Sequence, residues 1–195
     1  MSLDPHIRTP RLTLRLPRQD DLTEYLRVHE LSWPHFAPWM PQQPPGETFE
    51  DMFTRQLDRA IKGAAEESEF RFVGFAPDGR IVGFFGLSQV YRGAFHNAYA
   101  GWSVNVEFVG QGYATEAVTA LLDFAFAPPP IGIELHRVQA NIIPRNAASV
   151  RVAHKCGFRF EGIAKGYLKI AGEWQDHAMY AKLAEEHAFS ILKPG

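Results

Sequence analysis

The stretch with the most chemical character runs from Glu107 to Val118, EFVGQGYATEAV. Gly110 and Gly112 carry no Cβ, so a ligand can reach the main chain closely there. From Tyr113 onward Ala114, Ala117, Val118, Leu121 and Ala125 fall at helical spacing. A helix that starts directly after a glycine turn aims its unsatisfied N–H groups and the positive end of its dipole into that turn. Such a corner holds anions, phosphate above all. It is also the form of an ordinary tight strand-to-helix turn, and the two readings stand side by side. A dinucleotide fingerprint fits poorly, because Thr115 stands where G-x-G-x-x-G needs its third glycine. A P-loop fits worse, since no Gly-Lys-Ser/Thr follows.

The elements around the turn follow from periodicity. RLTLRLP, residues 11–17, alternates Leu12, Leu14 and Leu16 with polar partners and reads as a strand ended by Pro17. A first helix follows, with Leu22, Leu26 and Leu31 on one side. SWPHFAPWMPQQPPGET, from Ser32 to Thr48, is rich in proline and aromatics and reads as irregular. A second helix is expected from near Phe49 to Ile61, with Thr48 as its N-cap. Two strands joined at Pro77-Asp78-Gly79 and a third, NAYAGWSVNV, form a meander that leads into the glycine turn. The helix from Tyr113 to about Phe126 is stopped by Pro128–Pro130. HRVQANII is a strand, NAASVRVAHKCGF a short helix ended by Gly157, and the last two strands form a hairpin closed by Ala171-Gly172. The expected fold is a single α/β (α+β) domain. Its twisted sheet has about seven strands, mostly antiparallel, and four helices flank it. The helix between the fourth and fifth strands demands one parallel crossover.

Composition bounds the functions open to this chain. Its 195 residues suit one domain. Lys and Arg number 20 against 22 Asp and Glu, so the basic excess that nucleic-acid backbones require is missing, and no direct nucleic-acid partner is expected. Cys156 is the single cysteine, which leaves no disulfide framework and no cysteine metal cluster. No apolar run reaches membrane-spanning length and no signal-peptide core is seen, so a cytoplasmic protein is expected.

The run from Val104 to Ala114 resembles the coenzyme A motif of the GNAT superfamily of N-acetyltransferases, V-x-x-x-x-(Q/R)-x-x-G-x-(G/A). Val104, Gly112 and Ala114 match it, and Val109 stands where Gln or Arg is usual. RTPRLTLRL, RGAFHNAYAGWSV, HRVQANIIPRNAAS and CGFRFEGIAKGYLKIAGEWQDHAMYA extend the likeness to the ribosomal-protein alanine N-acetyltransferase branch, RimJ/RimL-like. It covers the chain from Arg8 to about Leu183, which would make residues 8–183 the acetyltransferase domain and 184–195 a C-terminal tail.

The resemblance implies acetyl-CoA as cofactor and an amine as acceptor, here a protein or peptide N-terminus, with a ribosomal protein as one case; a small-molecule amine acetyltransferase and a non-catalytic acyl-CoA-binding module stand as the alternatives. It leaves a homodimer open. In the family the fourth and fifth strands part and the cofactor's pantetheine arm lies between them. Ser103, Val104 and Val106 would place the thioester. Val109, Gly110, Gln111, Gly112, Tyr113, Ala114 and Thr115 would grip the pyrophosphate. Asn146 would touch the pantetheine, and Ser149 would protonate the leaving thiolate. Asn141 stands where one branch has a catalytic glutamate, Leu168 where another has one, and Ala153 where a third has a tyrosine acid. No general base therefore carries over; Glu107 and Glu161 qualify by neighbourhood alone. Trp33, Phe36 and Trp39 would border the acceptor.

Overall fold

The computed structural model describes residues 5–190, and it holds one eight-stranded sheet. Strands β1 (His6–Arg8) and β2 (Thr13–Arg15) precede helices α1 (Leu22–Phe36) and α2 (Phe49–Ala65). Then come β3 (Phe70–Phe75), β4 (Ile81–Tyr91), β5 (Asn97–Val104), α3 (Tyr113–Phe126), β6 (Arg137–Ile142), α4 (Ala147–Lys155), β7 (Arg159–Ile170) and β8 (Glu173–Leu183). The sheet runs β1-β2-β3-β4-β5-β6-β8-β7. Only the β5–β6 pairing is parallel, with α3 as its crossover.

Alternation along the meander builds two cores. In β3 and β4, Phe72 and Phe85 join the large core that also holds Leu121 and Phe124 of α3. Their neighbours Val73 and Phe84 turn to the other face, where Tyr25, Val28 and Phe36 of α1 and Met52 and Phe53 of α2 cover them. The central helix is thus opposed across the sheet to the first two.

Several sequence expectations are corrected. The sheet gains β1, too short to show a period, which pairs with β2. Only Thr13–Arg15 of the first predicted strand is extended. α1 runs on through Ser32 to Phe36 with Pro34 inside it, where irregular chain was expected, and Ala37–Trp39 adds a 3-10 turn. Proline costs a helix interior roughly 3 kcal/mol, but Ser32 and Phe36 are buried on the same side as Tyr25 and Val28, and that packing outweighs the lost bond. Leu31 points outward, 46% exposed. Thr48 caps α2 as expected, in a reciprocal box with Asp51, and the helix continues four residues past Ile61 to Ala65. The chain beyond β8 also packs down: the His187 ring meets Asp123 of α3 at 2.6 Å.

One buried side chain fixes how β5 ends. Asn105 is fully buried, and its Nδ2 donates to the Ile81 carbonyl at 3.0 Å and to Glu107 Oε2 at 3.1 Å. Its Oδ1 accepts from Ser32 Oγ at 3.0 Å and from the Glu107 N–H at 3.2 Å. Val106 leaves the strand for a 3-10 turn, so it is exposed backbone corner and not strand core. Asn105→Leu strands these partners inside the protein. Urea denaturation should show a loss of about 2–4 kcal/mol, as for other broken buried networks.

Candidate active site

β5 and β6 separate almost at once. Asn97, Ala98 and Tyr99 pair with Arg137, Val138 and Gln139, and the ladder stops there. Residues 100–104 therefore keep β4 on one edge and lose a partner on the other. The Asn105 N–H donates to the Val82 carbonyl at 2.8 Å, toward β4. Because donors alternate between the two edges of a strand, the Val104 N–H turns into the gap beside β6. A main-chain donor stands there, ready for a carbonyl oxygen.

The glycine turn closes the end of this gap. Gly110 and Gly112 both sit at positive φ, 75° and 83°, which side-chain-bearing residues avoid. Gly112 is the N-cap of α3, and no side chain caps the helix. Thr48 caps α2, and Asn146 Oδ1 caps α4 by accepting the Ser149 N–H at 3.1 Å, so of the helices along the cleft α3 shares an uncapped start only with α1. The first N–H groups of α3 are thus left for an anion that the chain itself does not supply.

Arg11, which carried no signal in the sequence, clamps the turn from behind. Its Nη1 donates to the Gln111 carbonyl at 3.0 Å, its Nε to Glu116 Oε2 at 2.6 Å, and its guanidinium lies 4.3 Å from the centre of the Tyr113 ring. Glu116 also accepts from Thr9 Oγ1 at 2.6 Å. Burial opposes the Glu116 charge, but the bonds from Thr9 and Arg11 outweigh it and hold the carboxyl below its usual range.

The gap and the turn open into one cleft of about 1120 Å³. Ser103, Val104, Val109, Gly110, Gly112, Tyr113, Ala114 and Thr115 form one wall, and Asn146 and Ser149 of α4 join them. Trp33, Phe36 and Trp39 line the same cleft, so α1 and its 3-10 turn share it with the glycine corner. Three of the expected residues lie off this lining. Gln111 turns its side chain back to the Glu107 carbonyl at 2.9 Å, and Val106 donates its N–H to Ser32 Oγ at 3.1 Å. Asn141 sits on β6 with Gln139 Nε2 donating to its Oδ1 at 2.9 Å, while its own Nδ2 donates to the Tyr167 hydroxyl at 3.1 Å.

Among the described residues no Asp or Glu lines the cleft. Glu107 is held by Arg27 and Asn105, and the Arg27 bond keeps its carboxyl low. Glu161 is paired with Arg137 and Arg159, with the same effect. Asp176 is bound by Lys165 and by the Gly166 N–H. His177 is buried with Nδ1 on the Gln175 carbonyl at 3.0 Å. Arg145 lies over the Trp39 ring at 5.2 Å.

Comparison with known proteins places this geometry. Residues 11–159 match the acetyltransferase (GNAT) domain model. The chain is 32% identical to the Escherichia coli [ribosomal protein uS5]-alanine N-acetyltransferase over 91% of both proteins. It is 40% identical to the probable N-acetyltransferase YjcK of Bacillus subtilis over 60% of this chain, and that match spans 64% of the relative. Mycobacterium smegmatis RimJ, solved in complex with CoA-disulfide, superposes with a TM-score of 0.82 at 31% identity, covering 93% of this chain and 87% of the other.

The cleft wall also holds a buried histidine that the sequence reading passed over. His29 is 2% exposed, stacks on Tyr25 at 3.9 Å and lies within 6 Å of Phe36, Phe49 and Phe84. Its Nδ1 sits 2.9 Å from the Tyr25 carbonyl. Burial pushes its pKa down to about 4, so it is neutral at pH 7. A folded-state value below the unfolded one favours folding above the unfolded pKa, and this is lost as pH falls toward 4. Between pH 7 and pH 5 the wild type should lose about 2 kcal/mol more stability than His29→Leu. Parallel urea titrations at the two pH values would measure the difference.

Proposed function

The chain belongs to the GNAT acetyltransferase family and is an N-acetyltransferase; from that premise we propose that it transfers acetyl from acetyl-CoA to the α-amine of a protein N-terminus. One observation carries the choice of acceptor: the cleft wall offers rings, prolines and the cations Arg55, Arg59, Arg71, Arg151 and Lys155, and no carboxylate among the described residues. A site for polyamines or aminoglycosides needs negative charge to draw a polycation. This one repels it. A chain end, with a single amine of pKa about 8, has no such requirement, and an extended peptide suits a proline-stiffened aromatic groove. The Escherichia coli relative, named for an alanine of ribosomal protein uS5, supports a ribosomal protein as acceptor and with it a cytoplasmic setting.

The residues fit the cofactor. The uncapped α3 N-terminus and the two positive-φ glycines form a cradle for a pyrophosphate, and Asn146 lines the same cleft further along. Bound acetyl-CoA supplies the activated thioester. The Val104 N–H would hold the acyl oxygen as negative charge develops on it. Ser149, on the α4 wall, would return a proton to the departing sulfur. The amine's own proton leaves to water, since the cleft has no carboxylate to take it.

Two measurements test this reading. Turnover of peptides beginning Ala, Ser, Thr or Met, set beside spermidine, an aminoglycoside and free lysine, should favour the peptides. Their kcat/KM should rise with pH through about 8, the pKa of an α-amine. Preference for a polycation would reverse the assignment. Separately, Gly112→Glu forces a side chain onto φ 83° with its Cβ 3.5 Å from Arg11 Nη2, so it strains the turn and disturbs the clamp behind it. CoA affinity by calorimetry should fall at least tenfold, about 1.4 kcal/mol or more. An unchanged Kd would remove the turn from the cofactor site.

A further inference from the structure

The register of the meander sets out a track leading away from the reacting end. Val73, Phe84 and Ser103 lie opposite one another across β3, β4 and β5. The next row on the same face is Arg71, Gly86 and Gly101. Gln56 of α2 accepts from Arg71 Nη1 at 2.9 Å, so this is the face that α2 covers. The two glycines leave the middle of the row bare. A Cβ on Gly101 would meet nothing within 4 Å, and the residue lines the cleft. A floor of main chain therefore begins one row from Ser103 and ends at Arg71, with Arg55 and Arg59 of α2 beside it.

The charge at that end is not cancelled. Arg55 puts Nε and Nη2 on Glu47, at 2.8 and 2.9 Å. Arg59 does the same on Glu69, at 3.2 Å each, and Arg71 Nε reaches Glu69 at 2.8 Å. Three guanidiniums share two carboxylates. Each guanidinium has five N–H donors, so some remain for a further acceptor. Arg55, Arg59 and Arg71 line the cleft, whereas Glu47 and Glu69 do not.

Resting on the N-terminal reading above, we propose that this end of the channel selects acceptors with a carboxylate side chain at the second, third or fourth residue, bound chiefly by Arg71. Two strand spacings separate Arg71 from β5, about 10 Å, and one row lies along the strand, about 7 Å. An extended peptide advances about 3.3 Å per residue, so with the amine at Ser103 the second to fourth residues lie about 3–10 Å along the track, and the two side chains span the rest of the way to the arginine.

Matched peptides with an N-terminal alanine and Glu, Gln or Lys at each of these positions test the proposal. At one position Glu should exceed Gln in kcat/KM by about tenfold, mainly through KM, with Lys lowest and the gap narrowing as salt rises. Arg71→Gln should bring the Glu-to-Gln ratio near one, and Arg71→Lys should keep part of it. Gly101→Leu, which meets open space, should raise KM for every peptide while CoA affinity by calorimetry stays put. Equal kcat/KM for all three peptides in the wild type overturns the proposal by itself and leaves the N-terminal reading standing. So does a Glu preference that survives Arg71→Gln. If no peptide is acetylated while small amines are, both readings fall.

Discussion

Everything in the site follows from a parallel pairing that is abandoned after three residues. A sheet of eight strands loses cohesion wherever two central neighbours part, because each freed N–H and C=O must find another partner. Here the loss is confined to one edge of β5 and one of β6, and the surroundings are built to hold it open. Asn105 anchors the end of β5 to β4 through the Ile81 carbonyl, and Ser32 of α1 braces Asn105. Arg11 and Glu116 tie the chain before β2 to the start of α3. The gap is thus gripped from the N-terminal segment, from α1 and from α3, and none of these grips depends on a ligand.

The same economy governs charge. Glu24, Glu107, Glu116 and Glu161 are all committed to arginines on the far side of the walls they belong to. Glu24 also accepts the Ile81 N–H and Glu116 the Arg11 N–H, and bonds from Arg27 lower both the Glu24 and the Glu107 carboxyls. The consequence is a cleft lined by arginine, lysine and the uncapped start of α3, with Glu47 and Glu69 offsetting part of the arginine charge from behind. Anions enter it favourably at both ends: a pyrophosphate at the glycine turn, a side-chain carboxylate at the other.

Much of this was legible in the sequence, and the rest shows where periodicity loses its grip. The long elements, the parallel crossover and the glycine turn all carry strong local signals, and α3 begins at Tyr113 as its spacing predicts. β1 has three residues, too few for a period. α1 overran its predicted end because burial of Phe36 is a tertiary gain that proline's local penalty conceals. Arg11, Asn105 and Ser32 act across 105, 24 and 73 residues of chain respectively, so no window could expose them. The resemblance to the family identified the wall residues that lie together. Gln111 and Asn141 sit in the right segments with their side chains turned to neighbours, a distinction made by packing and invisible to a motif.

The missing base is an argument about the acceptor as much as a gap. An α-amine with pKa near 8 is about one-tenth neutral at pH 7, whereas a lysine near 10.4 is less than about a thousandth neutral. The cleft moves both in the same direction. Rings from Trp33, Phe36 and Trp39 withdraw water, which disfavours an ammonium, and the arginines along the channel add like charge. A depression of one unit makes the α-amine about half neutral while leaving the lysine almost wholly charged. On the proposed reading, an environment of rings and guanidiniums would prepare an N-terminus for attack without any group in contact with its proton. The same environment would serve a lysine side chain or a polyamine less well.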